Sequence, residues 1–471
     1  MIARTRAVLL LLLLSASLWL PQARAYSLLT HEQLINLIWH DSIAPFLLSQ
    51  YPSLTPGQIE QARAYAYGGC VIQDIGYYPF GDRFFSHLTH YVRSGDFVLN
   101  LFRNAHNANE LAFAIGALSH YVGDSVGHSI ATNRAVPVEF PHLKQKYGSV
   151  VNYAEGPHQH VQTEFAFDIY EIAHHRMAPV RFYRHVGLKV PVKQLALAYY
   201  QTYGLSVNFA RKRSLINVRG YRFAIHAFIP RIAYAITLLH RRHEPEEPQI
   251  PELDTLNKQI AEVAANNNWD HYRRHAGIGT YILAGFLWIL PKAGPLKLVA
   301  VKGPTTATEG DYLHSIEVST RVLERTLARF TPNSAAAMAR ANRELAQLLP
   351  SNIESNRITL LLSSDLHHPL PNRDLDTGRV VQPGGYPLTD ATYADLLHRI
   401  VAEPQKPITP GIKSDIEAYY ASPNALITTR KDNDKWKQVQ TDLATLAGMT
   451  TSTEPDPYPM YSNDAAEAGE Q

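Results

Sequence analysis

Apolar residues recur at spacings of three and four from Tyr26 to about His243, with little of the strict alternation that marks a half-buried strand, and this periodicity predicts helices. The helical segments are residues 30–49, 56–67, 84–102, 108–130, 153–175, 192–210 and 221–242. They define an all-α, compact multi-helix domain over residues 26–245. Three prolines and three glutamates between His243 and Pro251 break the period, so a linker is expected over 246–254. Helical spacing returns at 255–265, 309–329, 334–349, 391–401, 412–421 and 434–446, interrupted by a turn-rich stretch at 365–387. An additional mostly helical C-terminal region, 255–449, is therefore expected, followed by a polar, acidic, proline-containing tail at 450–471 that reads as disordered.

Two stretches are more apolar than the rest. Residues 1–25 have a basic start, an apolar run and Ala23-Arg24-Ala25, which together read as an export signal cleaved after Ala25, giving a periplasmic or secreted chain that begins at Tyr26. Residues 277–290, closed by Pro291, are too short for a span of ~20 residues. They suit either a buried helix or an interfacial one whose Phe286 and Trp288 enter the edge of a lipid layer.

Charge excludes some partners. Three of the 44 basic residues and none of the 42 acidic ones lie in the first 25, which leaves 41 against 42 in the remainder and no bulk attraction to polyanions. Arg211-Lys212-Arg213 is one short basic cluster, less than the track a nuclease needs. The compositional excess is histidine, with 16 of 22 residues falling between 26 and 245. Cys70 is the sole cysteine, so an internal disulfide or a thiolate cage is excluded and any metal must sit among nitrogen and oxygen ligands.

The strongest local pattern is His120-Tyr-Val-Gly-Asp124-Ser-Val-Gly-His128. On a helix, steps of four advance ~400°, so the three side chains share an arc of about 80°. A carboxylate between two imidazoles can bridge two ions, each taking one flanking histidine. His160-Val-Gln-Thr-Glu164 repeats the step and can join His128 in a two-histidine, one-carboxylate set with an open position. Asp74, His87 and His31 add a carboxylate and two imidazoles; His90 competes with His87, and His40, His106, His142, His158, His174 and His175 are assigned structural or surface places.

This set resembles the zinc-dependent phospholipase C family, whose relatives include bacterial phosphatidylcholine-preferring phospholipases C, glycosylphosphatidylinositol-specific phospholipase D and the single-strand-specific zinc nucleases. The resemblance covers residues 26–240 and rests on the order of a processed first residue, His, Asp, His, the His-x-x-x-Asp…His helix and His-x-x-x-Glu. It implies a fold of the zinc phospholipase C and zinc nuclease type and up to three Zn2+ ions. The ligands it implies are Tyr26, through its α-amino nitrogen and carbonyl, with His31, Asp74, His87, His120, Asp124, His128, His160 and Glu164. Asp74 is also the expected general base. The family's first residue is often tryptophan, where this chain has Tyr26. The interval Ser125 to Gly127 is short and lacks proline, as in the glycosylphosphatidylinositol phospholipase D version, and Glu164 follows the phospholipases where the nucleases have aspartate.

The implied activity is phosphodiester hydrolysis, with phospholipid as the leading substrate and transient contact with a membrane surface. The aromatic stretch Tyr77-Tyr78-Pro79-Phe80 favours a zwitterionic lipid over a polyanion. The alternatives are a zinc-dependent nuclease or other phosphodiesterase, and a non-catalytic helical scaffold in which ions only hold the fold. Asn372-Arg373-Asp374-Leu375-Asp376-Thr377-Gly378 is acidic and turn-like, and reads as a loop held by its own side chains rather than a calcium site.

Overall fold

The computed structural model describes residues 28–78, 81–207, 212–223, 229–240, 247, 249–273, 277–289, 304–330 and 370–452. The expected export signal, Tyr26, the helix at 334–349 and nearly all of the tail lie outside these residues. The principal helices, in chain order, are α1 (Leu28–Ile38), α2 (Pro56–Gly69), α3 (Arg83–Tyr91), α4 (Ser94–Arg103), α5 (Ala108–Gly127), α6 (Pro157–Ala173), α7 (Val192–Tyr203) and α8 (Ile229–His240). There follow α9 (Pro251–Asn266), α10 (Ile278–Ile289), α11 (Thr306–Phe330), the hairpin β1 (Arg373–Asp374) and β2 (Arg379–Val380), α12 (Pro387–Val401), α13 (Pro410–Ala421) and α14 (Asn433–Gly448). The fold is all-α, as the periodicity predicts.

Local chemistry sets the helix starts. Thr55 and Gln58 form a reciprocal capping box ahead of α2, with Pro56 at the first helical position. Asn107 caps α5 by accepting from the Glu110 N–H, and Asp82 caps α3 by accepting from the Phe84 N–H. The expected single helix at 84–102 is two helices, because Arg93 takes a left-handed conformation (φ 49°) between α3 and α4. The expected helix at 30–49 is likewise interrupted by a π-helical turn, Trp39–Ile43.

Helix α5 is the hub: α1, α2, α4 and α11 all pack on it, and nearly all of its residues are buried. Its crossing with α2 is made by glycines. A Cβ on Gly69 would lie 2.0 Å from the Phe113 carbonyl oxygen, and one on Gly116 would lie 2.2 Å from that of Ala66, so the two backbones meet directly.

The described part of the C-terminal region shares this core rather than forming its own. One contiguous apolar cluster runs from Leu28 to Met449 and includes Leu253, Leu256, Ile260, Tyr312, Leu375 and Leu396. The expected linker is partly helix, since α9 starts at Pro251. Polar bonds reinforce the join. Arg176 donates to Glu171 at 2.7 and 2.9 Å, to Glu247 at 2.6 Å and to Glu309 of α11 at 3.3 Å. Asp168 of α6 accepts from the Leu29 N–H and the Thr30 hydroxyl, which pins the start of α1, while Thr30 also meets the Tyr312 hydroxyl at 2.9 Å. Among the described residues no helix is long and apolar enough to cross a membrane. In α10, Ala284 is buried, while Ile278, Tyr281 and Ile282 are 80, 56 and 68% exposed.

Candidate metal centre

Four elements converge on α5. It presents His120 and Asp124 on one face and passes into a π-helical turn at His128. Helix α1 brings His31, and a 3-10 segment, Ile72–Tyr77, brings Asp74. That segment is fastened to α5 by the Gln73 side chain, which donates to the Ala117 carbonyl at 2.9 Å. Helix α3 supplies His90, and α6, started by Pro157, supplies His160 and Glu164 one turn apart. The result is three donor groups: His31 with His120 and Asp124; Asp74 with His90 and His120; His128 with His160 and Glu164. All eight residues are buried, and His120 belongs to two groups.

The tautomers of three rings follow from what they touch. His90 Nδ1 faces the Ser86 carbonyl at 2.7 Å, His120 Nδ1 the Cys70 carbonyl at 2.9 Å, and His128 Nδ1 the Leu375 carbonyl at 2.7 Å. A carbonyl oxygen can only accept, so each Nδ1 carries the proton and each neutral ring turns an Nε2 lone pair inward. The Nε2 atoms of His90 and His120 lie 3.4 Å apart.

The spacing of the donors tests whether an ion fits. Zinc bonds of ~2.05 Å in tetrahedral geometry place neighbouring donor atoms ~3.3 Å apart. Here His31 Nε2–Asp124 Oδ1 is 3.1 Å, His120 Nε2–Asp124 Oδ2 3.1 Å, His90 Nε2–Asp74 Oδ1 3.4 Å and His90 Nε2–Asp124 Oδ2 3.5 Å. In the other group His128 Nε2–Glu164 Oε1 is 3.1 Å and His160 Nε2–Glu164 Oε1 2.9 Å. Both Asp124 oxygens, Asp74 Oδ1, Glu164 Oε2 and both His160 ring nitrogens are buried and have no hydrogen-bond partner outside these imidazole–carboxylate contacts. Leaving that many polar atoms unsatisfied costs ~1–3 kcal/mol each, and a bound cation removes the cost. Imidazole and carboxylate donors of this number and spacing suit zinc.

Electrostatics agree. Burial opposes charge on His90, but hydrogen bonds to Asp124 and Asp74 outweigh it and push the ring up to about 10. Burial opposes charge on His128 too, and the bond to Glu164 again prevails, to about 10. Asp124, in spite of its burial, is held well below the usual carboxylate range by His120, His31 and His90. His31 itself is lowered, by burial first and by His120 second. The pocket is anionic and recruits positive charge.

Of the residues the sequence nominates, His31, Asp74, His120, Asp124, His128, His160 and Glu164 are brought together. Tyr26 lies outside the described residues. The structure brings His90, not His87, to Asp74 and His120; His87 is half-buried beside the Tyr77 and Tyr91 rings. His40, His106, His142, His158 and His175 are exposed and His174 is half-buried. Tyr77 and Tyr78 are buried, with Tyr78 edge-on to Tyr221 at 5.2 Å, so this pair packs the interior instead of facing lipid. Pro79, Phe80 and the side chains of Arg211, Lys212 and Arg213 lie outside the described residues. Sequence reading missed the carbonyls of Cys70, Ser86 and Leu375, because a main-chain acceptor has no residue signature.

The helical domain thus holds three buried imidazole–carboxylate groups, two of which share His120, each able to hold a metal ion. Residues 30–210 match the family model described as zinc dependent phospholipase C. No curated protein and no solved structure matches the chain.

Proposed function

We propose that this protein is an exported phospholipase C that hydrolyses phospholipid to diacylglycerol and a phosphorylated head group at a site holding up to three zinc ions. The supporting observation is the set of three buried donor groups, two of them sharing His120, within the family-matched segment. His31 and one Asp124 oxygen would hold one ion, completed by the Tyr26 α-amino group after cleavage behind Ala25; Asp74, His90, His120 and the other Asp124 oxygen a second; His128, His160 and Glu164 a third.

Bound zinc supplies Lewis-acid polarisation and makes water acidic enough to ionise near neutral pH. The remaining chemistry belongs to the side chains. Asp74 is the carboxylate with most access to solvent, its side chain 5% exposed against 0% for Asp124. Its carboxylate is the group that takes the proton from the attacking water. Asp124, fully enclosed among His31, His90 and His120, sets the charge and spacing of the paired positions. The carbonyl-fixed rings of His90, His120 and His128 need no reorganisation as charge develops on the phosphoryl group. The exposed Ile278, Tyr281 and Ile282 of α10 support transient contact with a lipid surface.

The test is elemental analysis of the processed chain paired with hydrolysis of phosphatidylcholine before and after chelation. Phosphocholine release that disappears with the metal and returns with zinc supports the proposal. Cleavage of a generic phosphodiester without lipid cleavage would move the substrate to nucleotides, and absence of bound metal would remove the reading.

A further inference from the structure

Leu375 lies far beyond the family-matched segment, which ends at residue 210, yet its backbone touches two of the donor groups. Its carbonyl accepts from His128 Nδ1 at 2.7 Å, and its N–H donates to the His90 carbonyl at 3.0 Å. Both contacts depend on the β1–β2 hairpin, paired Arg373 to Val380 and Asp374 to Arg379. The Ser94 hydroxyl donates to the Arg373 carbonyl at 2.6 Å, and Asn133 Nδ2 donates to that of Asp376 at 2.7 Å. The Asp376 carboxylate accepts from the hydroxyls of Tyr91 at 2.9 Å and Tyr386 at 2.6 Å. At the tip Gly378 has φ +66°, and a Cβ there would lie 2.3 Å from the Ser125 carbonyl oxygen. The tip therefore rests on the turn of α5 between Asp124 and His128.

We propose that this hairpin is a positioning element of the metal centre, with the Leu375 carbonyl fixing the His128 ring so that its Nε2 addresses Glu164 and His160. The inference rests on the metal-binding reading of the same site. It assigns to the C-terminal region, for which the sequence offers no role, the completion of a donor group that residues 30–210 do not finish alone. The physical basis is the same as for any outer partner of a ligating imidazole. Holding Nδ1–H against a carbonyl sets tautomer and ring orientation at once, and losing such a partner weakens metal binding ~10–100-fold. Asp376 acts one step further out, by holding the turn that carries Leu375.

Zinc alone is a sufficient probe. The full chain, Gly378→Ala and Asp376→Asn are titrated with zinc against a chromophoric chelator, and each metal-free protein is melted to establish that it folds. Gly378→Ala forces the tip away from Ser125, so it is expected to weaken one ion ~10–100-fold and leave the tighter ones unchanged. Asp376→Asn keeps the shape but weakens the hold on Tyr91 and Tyr386, and is expected to weaken the same ion by a smaller factor; it decides the matter should Gly378→Ala show no cooperative melt. Equal weakening of every ion, or of none, overturns the proposal, as does a full chain that binds no zinc. A full chain that binds zinc with this selectivity but leaves phosphatidylcholine intact refutes the phospholipase reading and not this one.

Discussion

Replacing Gly116 by alanine tests the claim that a backbone-to-backbone helix crossing delivers a ligand. The new Cβ would lie 2.2 Å from the Ala66 carbonyl oxygen and 2.7 Å from the Cys70 nitrogen. Ordinary contact needs ~3.4 Å, so α2 and α5 must part by about 1 Å. The bond from His120 Nδ1 to the Cys70 carbonyl, 2.9 Å long, crosses this seam. Lengthened by that amount it passes ~3.5 Å and ceases to be a hydrogen bond. Overpacking costs ~1–3 kcal/mol and an unpaired buried ring nitrogen ~1–3, while alanine recovers ~1 of helix propensity. A net loss of about 3 kcal/mol is expected from urea denaturation of chelator-treated protein, together with ~10–100-fold weaker zinc binding. Gly57→Ala is the control, since a Cβ there meets nothing within 4 Å. A Gly116→Ala protein as stable as the parent, with unchanged zinc affinity, would refute the reasoning.

Four further outcomes are expected. His90→Ala should weaken zinc binding and abolish hydrolysis while His87→Ala retains both, measured by competition titration and phosphocholine release. Arg176→Met removes the partner of the buried Glu171 and should cost ~3–5 kcal/mol in denaturation. Glu309 is pushed well above the ordinary carboxylate range by burial and by Glu171, which favours its neutral form. Glu309→Gln should therefore leave stability unchanged at pH 5 and raise it at pH 8. Burial pushes Asp374 up to about 7. Because the unfolded chain gives up this proton near pH 4 and the folded one near 7, its contribution is fully present below about pH 4 and lost as pH rises to 7. The ceiling is about 4 kcal/mol at 1.36 per pKa unit. Asp374→Asn should flatten that part of the stability–pH curve.

What could be read in advance was whatever is written in local spacing. The four-residue steps of His120, Asp124, His128 and of His160, Glu164 are properties of one helix each, and the structure keeps them. His87 and His90 show where local spacing stops informing. Three residues advance ~300° on a helix, so the two rings lie only ~60° apart, and periodicity alone cannot choose between them. The tilt of α3 against Asp74 and His120 decides, and that is tertiary. The 372–378 stretch is a loop braced by its own side chains, as its composition suggests, with the Thr377 hydroxyl donating to Asp374 at 2.6 Å. Its reach to His128 left no trace in sequence, because the group that makes the contact is a peptide carbonyl.

The bond between His128 and Leu375 joins residues 247 positions apart. At ~5–20 residues per second of synthesis, about 10–50 s separate the appearance of the imidazole from that of the carbonyl that orients it. Loop closure over such a distance also slows folding. A growing chain thus carries every imidazole and carboxylate of the three donor groups long before it can hold them all in place. Maturation of the centre is a late event in the life of the polypeptide, timed by the arrival of a short hairpin near its end.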